Sequence, residues 1–254
     1  MPEKKSAPKR RWLLLRGLAR EVRHWGEFPE LLQKGFPNDE VHCLDLPGAG
    51  VNFEKPCPVP LSKMRESVRD EWRRLGKGGS EDVILGLSLG GMIALNWASA
   101  HPQDFKTVVA VNTSLARLSP IWHRLQPWSM AQVLKIARTR DPLAKEKLIA
   151  AMVNVRKFSA AEMKERAGYY LDRPISIQNS IRQLLSAAIV PTPKFDPRTN
   201  LIVVRSLGDK LCDPRCSERL AHHYRATLQT HPTAGHDLPV DEPQWLVERL
   251  KESV

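Results

Sequence analysis

The chain has 254 residues, 42% of them hydrophobic and 26% charged, with a formal net charge of +11. That length suits one globular domain with a sizeable core, or one domain carrying an insertion. No apolar run reaches the ~18 residues a membrane helix needs, since the longest, Val83 to Leu95, is broken by Ser88 and three glycines. The charged N-terminus is not followed by a signal-peptide apolar region, so a cytoplasmic location is expected.

The positive charge is local. Residues 1–25 carry a net +6 and residues 115–190 a net +8. Such a field attracts anionic partners, although solubility charge on exposed helices is the ordinary use of it. Basic residues are not interleaved with aromatics along a groove-sized element, so no nucleic-acid partner is expected. The four cysteines, Cys43, Cys57, Cys212 and Cys216, form no Cys-x-x-Cys pair and fit no common zinc spacing, even with His222 and His223 nearby. Reduced thiols are expected, with no metal.

In chain order, a disordered basic tail is expected over 1–11. Short apolar runs then predict strands at Trp12–Arg16, Val41–Asp45, Asp82–Leu87, Lys106–Asn112, Leu201–Ser206 and Ala226–His231. Each is apolar on both faces, as parallel strands covered by helices are. Helical patterns lie between and after them, at Ser62–Leu75, Ser88–His101, Pro214–Tyr224 and Pro243–Glu252. This alternation predicts an α/β fold with a doubly wound, mostly parallel sheet of about six strands. One interval breaks it. Residues 113–198 hold four helical patterns, punctuated by prolines, and no strand, so they read as a helical cap inserted in a core made of 12–112 and 199–254.

The chemistry concentrates in Gly86-Leu87-Ser88-Leu89-Gly90, at the junction of a buried strand and an apolar helix. A turn this tight admits only small residues two before and two after the serine, and it lifts the Ser88 hydroxyl out of the sheet at a helix N-terminus. A serine hydroxyl is a weak nucleophile and needs a base, itself oriented by an acid. Late loops supply both. Asp209 follows the strand "LIVVRS", and His236 lies in the loop after the last strand. Asp213 reads better as the cap of the helix that follows it. Asp237 is poorly placed to orient the His236 ring from the far side. His222, His223 and His231 read as structural.

With these motifs in place the sequence resembles the α/β-hydrolase superfamily, of its capped, cofactor-free, esterase-like type. The resemblance runs from about Trp12 to the C-terminus. It includes "LDLPGAG", similar to the family's Asp-x-Pro-Gly-x-Gly loop, and the order Ser88, Asp209, His236. It departs from the family in that the two strands that usually open the sheet are expected to be absent or vestigial, and in writing Arg16-Gly17 where the family usually has His-Gly. The resemblance implies a serine hydrolase cleaving a carboxylic ester or thioester through an acyl-enzyme. The same fold also serves C–C bond hydrolases and lyases acting on acidic small molecules, and that alternative stays open. It further implies an oxyanion hole from the backbone N–H groups of Leu18 and Leu89. Candidate substrate-binding residues are Arg16, Trp25, Trp122, Trp128 and Tyr169, and an acidic acyl carrier is a candidate partner beside a small-molecule acyl substrate. Arg16 is expected to face a carboxylate, either on the substrate or within the protein, where Asp45 and Glu21 are the candidates.

Overall fold

The computed structural model describes residues 10–76, 79, 81–196 and 198–254. Six strands, β1 (Arg11–Leu15), β2 (Glu40–Leu44), β3 (Val83–Leu87), β4 (Thr107–Val111), β5 (Asn200–Ser206) and β6 (Thr227–His231), form one sheet in the order β2-β1-β3-β4-β5-β6. Every neighbouring pair is parallel. Each expected strand is present within a residue or two of its expected ends. The tail expected over 1–11 falls mostly outside the described residues, and its last member, Arg11, instead begins β1, with its guanidinium on Asp82.

Strand side chains alternate between two cores. Leu13, Leu15, Ile84, Val108 and Val203 join one cluster, which includes Met64 and Val68 of α2 (Leu61–Arg74), Ile93 and Trp97 of α3 (Leu89–Ala100), and Leu220 of α9 (Arg215–Tyr224). Trp12, Leu14, Leu85, Val109 and Val204 join the other, with Phe28 and Leu32 of α1 (Phe28–Gly35) and Leu246 and Leu250 of the last helix (Pro243–Ser253). Burial on both faces explains why the strands read as unbroken apolar runs. Helix α1 was not among the expected helices. Pro29 and the flanking Gly26 and Pro37 make it look like a loop, yet Pro29 occupies the first turn, where proline is tolerated.

Among the described residues five helices stand between β4 and β5: a single turn, α4 (Ile121–Arg124), then α5 (Pro127–Arg138), α6 (Pro142–Val153), α7 (Ala160–Asp172) and α8 (Ile177–Ala188). Their starts are written in the sequence. Asp141 accepts the amide of Ala144 ahead of Pro142. Ser159 and Glu162 form a reciprocal capping box, and Ser176 caps α8 through the amide of Asn179. Helix α8 is inside out. Its buried residues are Asn179, Gln183 and Ser186, while Ile177, Ile181, Leu184 and Leu185 face solvent.

The chain enters the sheet at β1, steps out to β2, and returns past β1 to β3. The order therefore reverses between β1 and β3, the place where doubly wound sheets open a crevice at the carboxyl ends of their strands. None of the helices among the described residues is long and apolar enough to cross a membrane.

Candidate active site

Ser88 occupies the turn from β3 into α3 with φ 56° and ψ −114°, a left-handed backbone that a residue with a Cβ adopts only when its surroundings impose it. The surroundings are explicit. The Ser88 amide donates to Val111 O at 2.9 Å, and its carbonyl accepts from the Met92 amide and from Thr113 Oγ1 at 2.7 Å. The turn is also packed against backbone. A Cβ on Gly86 would lie 2.2 Å from Gly90 C, and one on Gly90 would lie 2.2 Å from Leu15 O. These two glycines are fixed by contact, and the G-x-S-x-G spacing follows from it. Ser88 is partly exposed while its neighbours on both sides are buried.

The loop after β1 meets this turn at the switch point. A Cβ on Gly17 would sit 3.3 Å from Ser88 Cβ. Leu89 is the first residue of α3, so its N–H lies among the amides that a helix leaves without an internal acceptor.

Asp209 and His236 come from loops after β5 and β6. Gly208 brings these loops together, since a Cβ there would lie 2.3 Å from Thr233 O. His236 Nδ1 then lies 2.7 Å from Asp209 Oδ2, and both side chains are buried. The other oxygen, Oδ1, accepts the amides of Leu211 and Cys212 at 2.8 and 2.9 Å. With Asp209 ionised, Nδ1 carries the proton and Nε2 keeps its lone pair.

Two adjacent residues after β4 connect these parts. Thr113 holds the Ser88 carbonyl, as above. Asn112, at φ 44°, donates to His236 O at 2.9 Å and Gly235 O at 3.2 Å, and accepts the Ser206 amide at 2.8 Å. Asn112 was not singled out from sequence. Its signal is slight: an asparagine directly after a buried strand, one of the few residue types that tolerate positive φ.

The rival groups have other duties. Asp213 accepts the Arg215 amide at the start of α9. His231 Nδ1 accepts the amides of Thr233 and Ala234, and His222 and His223 are exposed on α9. The four cysteines are free, and no cluster of His, Cys, Asp and Glu suited to a metal occurs among the described residues.

Two of the expected binding residues, Arg16 and Trp25, are buried. Arg16 is 2% exposed, and both of its terminal nitrogens donate to Asp237 at 2.8 Å, while its guanidinium stacks 4.7 Å over Trp25. Its carboxylate is thus Asp237, neither Asp45 nor Glu21. Asp45 is occupied by the amides of Val22 and Val51, and Glu21 by Arg23. Burial pushes the Asp237 carboxyl up, but Arg16, supported by Arg166 and Arg20, holds it below its ordinary value. The sequence distance of 221 residues hid this pair. Trp25 is 0% exposed and packs on Phe28, so it is a core residue. Tyr169 carries the Arg23 guanidinium on its ring and donates its hydroxyl to Glu165. With Trp25, Phe158 and Arg166 it walls a cavity of about 240 Å³ that neither Ser88 nor His236 lines. Trp122 and Trp128 are 60% and 50% exposed on α4 and α5 and do not line that cavity.

The chain resembles known proteins at three levels. It is 28% identical to a pimeloyl-[acyl-carrier protein] methyl ester esterase of Xylella fastidiosa (strain M12) over 113 residues, 44% of this chain and 39% of that protein. It is 26% identical to the enzyme of the same name from Vibrio campbellii over 197 residues, 78% of this chain and 66% of that one. The matched stretch therefore spans less than two thirds of these relatives' length. Among solved structures, a putative lipase from Acinetobacter baumannii AYE superimposes with a TM-score of 0.74 at 20% identity, covering 97% of this chain and 84% of that one. A family model described as "Alpha/beta hydrolase family" matches residues 12–249, nearly the whole chain, and the protein belongs to that family.

Proposed function

We propose that this protein is a serine hydrolase of carboxylic esters or thioesters. One observation carries the reading: a partly exposed serine on a strained turn is tied through the adjacent residues Thr113 and Asn112 to the loop of a histidine whose Nδ1 meets a buried carboxylate. In this reading Ser88 Oγ attacks the acyl carbon as His236 Nε2 takes its proton, and Asp209 stabilises the imidazolium. The carbonyl oxygen becomes an oxyanion, held by the N–H groups of Leu18 and Leu89, each worth ~3 kcal/mol in the transition state. The leaving alcohol or thiol takes the proton back from His236. Water, deprotonated by the same imidazole, then releases the acid and frees Ser88.

The helices of 113–198 act as the cap that selects the acyl group. Relatives named for a pimeloyl-[acyl-carrier protein] methyl ester favour an acyl chain presented on an acidic carrier. The cap's composition supports this, because residues 113–140 contain five Lys or Arg and no Asp or Glu. The test is a panel of esters and thioesters, free and carrier-bound, together with a fluorophosphonate probe. Wild type is expected to hydrolyse esters and be labelled at Ser88. Ser88→Ala is expected to lose labelling and at least ~10⁴-fold in kcat. Folded wild type that resists the probe and turns over no member of the panel would defeat the reading.

A further inference from the structure

The loop after β1 cannot hold its own shape. Ala19 sits at φ 57°, in the left-handed region that alanine rarely occupies. The loop's own backbone bond, from the Arg20 amide to Gly17 O, is long at 3.4 Å. Its support comes from the helical insertion. Gln183 of α8, 0% exposed, accepts the Ala19 amide on Oε1 at 2.9 Å and donates from Nε2 to Pro47 O at 3.2 Å. Glu146 of α6 receives both terminal nitrogens of Arg20 at 2.7 Å, and Arg166 of α7 reaches the same carboxylate at 2.8 Å. At the loop's other end, Arg16 grips Asp237, the residue after His236.

The segment Gly17–Arg20 is therefore suspended between the histidine loop and two helices of the insertion, α6 and α8, with Arg166 of α7 steadying the α6 carboxylate. The inverted polarity of α8 has a use here, because an inward amide can satisfy a donor and an acceptor at once, as no apolar side chain can. We infer that Gln183 and Glu146 are positioning residues that hold the Leu18 N–H in line for the oxyanion, so the hole is complete only while the insertion is seated on the core. This inference rests on the hydrolase reading and on Leu18 as one of its two donors.

The test uses the full chain carrying Gln183→Met, which keeps the volume and removes both hydrogen bonds. A short p-nitrophenyl ester gives kcat and KM. A trifluoromethyl ketone of the same acyl length adds Ser88 Oγ to its carbonyl carbon and leaves an oxyanion in the hole, so its inhibition constant reports the hole itself. KM is expected within about twofold of wild type. A fall of about 10- to 100-fold is expected in kcat, with the ketone weakened by the same factor as kcat/KM. Unchanged kcat and ketone affinity would overturn the inference, as would a loss confined to KM, which would make Gln183 a wall of the acyl site. Glu146→Gln is read by the same criteria. Hydrogen exchange on wild type needs no variant: the Ala19 amide should be protected to the level of the α8 amides, and exchange at the rate of an exposed loop would refute the proposal. Ser88→Ala separates the two claims. If it keeps full turnover, the hydrolase reading falls; if it is inactive while Gln183→Met is unchanged, only the positioning role falls.

Discussion

The sheet and the helical insertion are held by different forces. Every residue of β1, β3 and β4 is buried, and the strands interleave with helices through apolar contacts on both faces. The insertion grips the core through directed polar bonds. Asn179 takes the Cys57 amide and donates to Phe53 O and Lys55 O. Ser129 reaches Lys210 O, and Asn154 reaches Asp241. Much of its apolar surface faces outward instead, including Ile121, Trp122, Trp128, Met130 and Leu134. Burial is insensitive to direction and tolerates little loss, whereas hydrogen bonds are directional and individually modest. A body held the first way fixes the atoms of the candidate site; one held the second way rests on bonds that each contribute little.

The most severe test of this contrast is the ion pair between Arg16 and Asp237, a buried polar contact within the core. Asp237→Ala leaves a buried guanidinium without its carboxylate, and a loss of about 3–5 kcal/mol is expected by denaturant unfolding. If the loss were below about 1 kcal/mol, Arg16 would have water or another anion within reach, and its assignment as a structural residue would be wrong. Next in size is a matched pair of apolar deletions. Leu85→Ala, in the fully buried β3, should cost about 2–5 kcal/mol. Leu184→Ser, on the outer face of α8, should change stability by no more than about 0.5 kcal/mol. Equal costs would erase the distinction between the two regions.

Acid sharpens the comparison. Burial pushes the Glu146 carboxyl up, but Arg20 and Arg166 outweigh it and hold it below its ordinary value. A carboxyl lowered in the folded state stabilises at every pH above the usual carboxylate range, and that contribution is lost as pH falls through the folded value. The grip of α6 on the β1 loop should therefore survive mild acid and fail below it. Limited proteolysis along a falling pH series should cut within 142–172 only at the acid end. In Glu146→Gln, whose side chain does not titrate, the pH dependence of that cleavage should flatten.

These two modes also explain what the sequence discloses. The strands, the Ser88 turn and the Asp209 and His236 loops were legible because apolar runs, small-residue spacing and chain order are local signals. The partner of Arg16 was not, because nothing local links positions 16 and 237, and the nearer Asp45 and Glu21 had better claims by distance along the chain. The burial of Trp25 was hidden for a related reason: a tryptophan beside a site loop carries no local signal of how deeply it packs. Helix α8 was legible as a helix but not in orientation. Its period of 3.6 is clear, and the usual rule that the apolar stripe faces inward assigns it the wrong face, because Asn179 and Gln183 satisfy backbone groups of core loops.

The smallest expected effect bears on what the outward face is for. Lys135 and Arg138 are exposed on α5 beside Trp128, Met130 and Leu134, on a stretch with no acidic residue. Charge reversal there, Lys135→Glu with Arg138→Glu, touches no bond that joins the insertion to the core, so stability and kcat/KM on a small neutral ester should be unchanged. For an ester borne on an acidic carrier, KM should rise several-fold, and its sensitivity to salt should weaken, because exposed charges act chiefly on encounter and are screened beyond about 10 Å at 0.1 M salt. A change on both substrates would mean that α5 shapes the reaction centre, and the polar attachment of the insertion would then be part of the catalytic frame rather than a seat for a selective cap. A change on neither would remove the carrier from the reading and leave the exposed apolar face of α5 without that explanation.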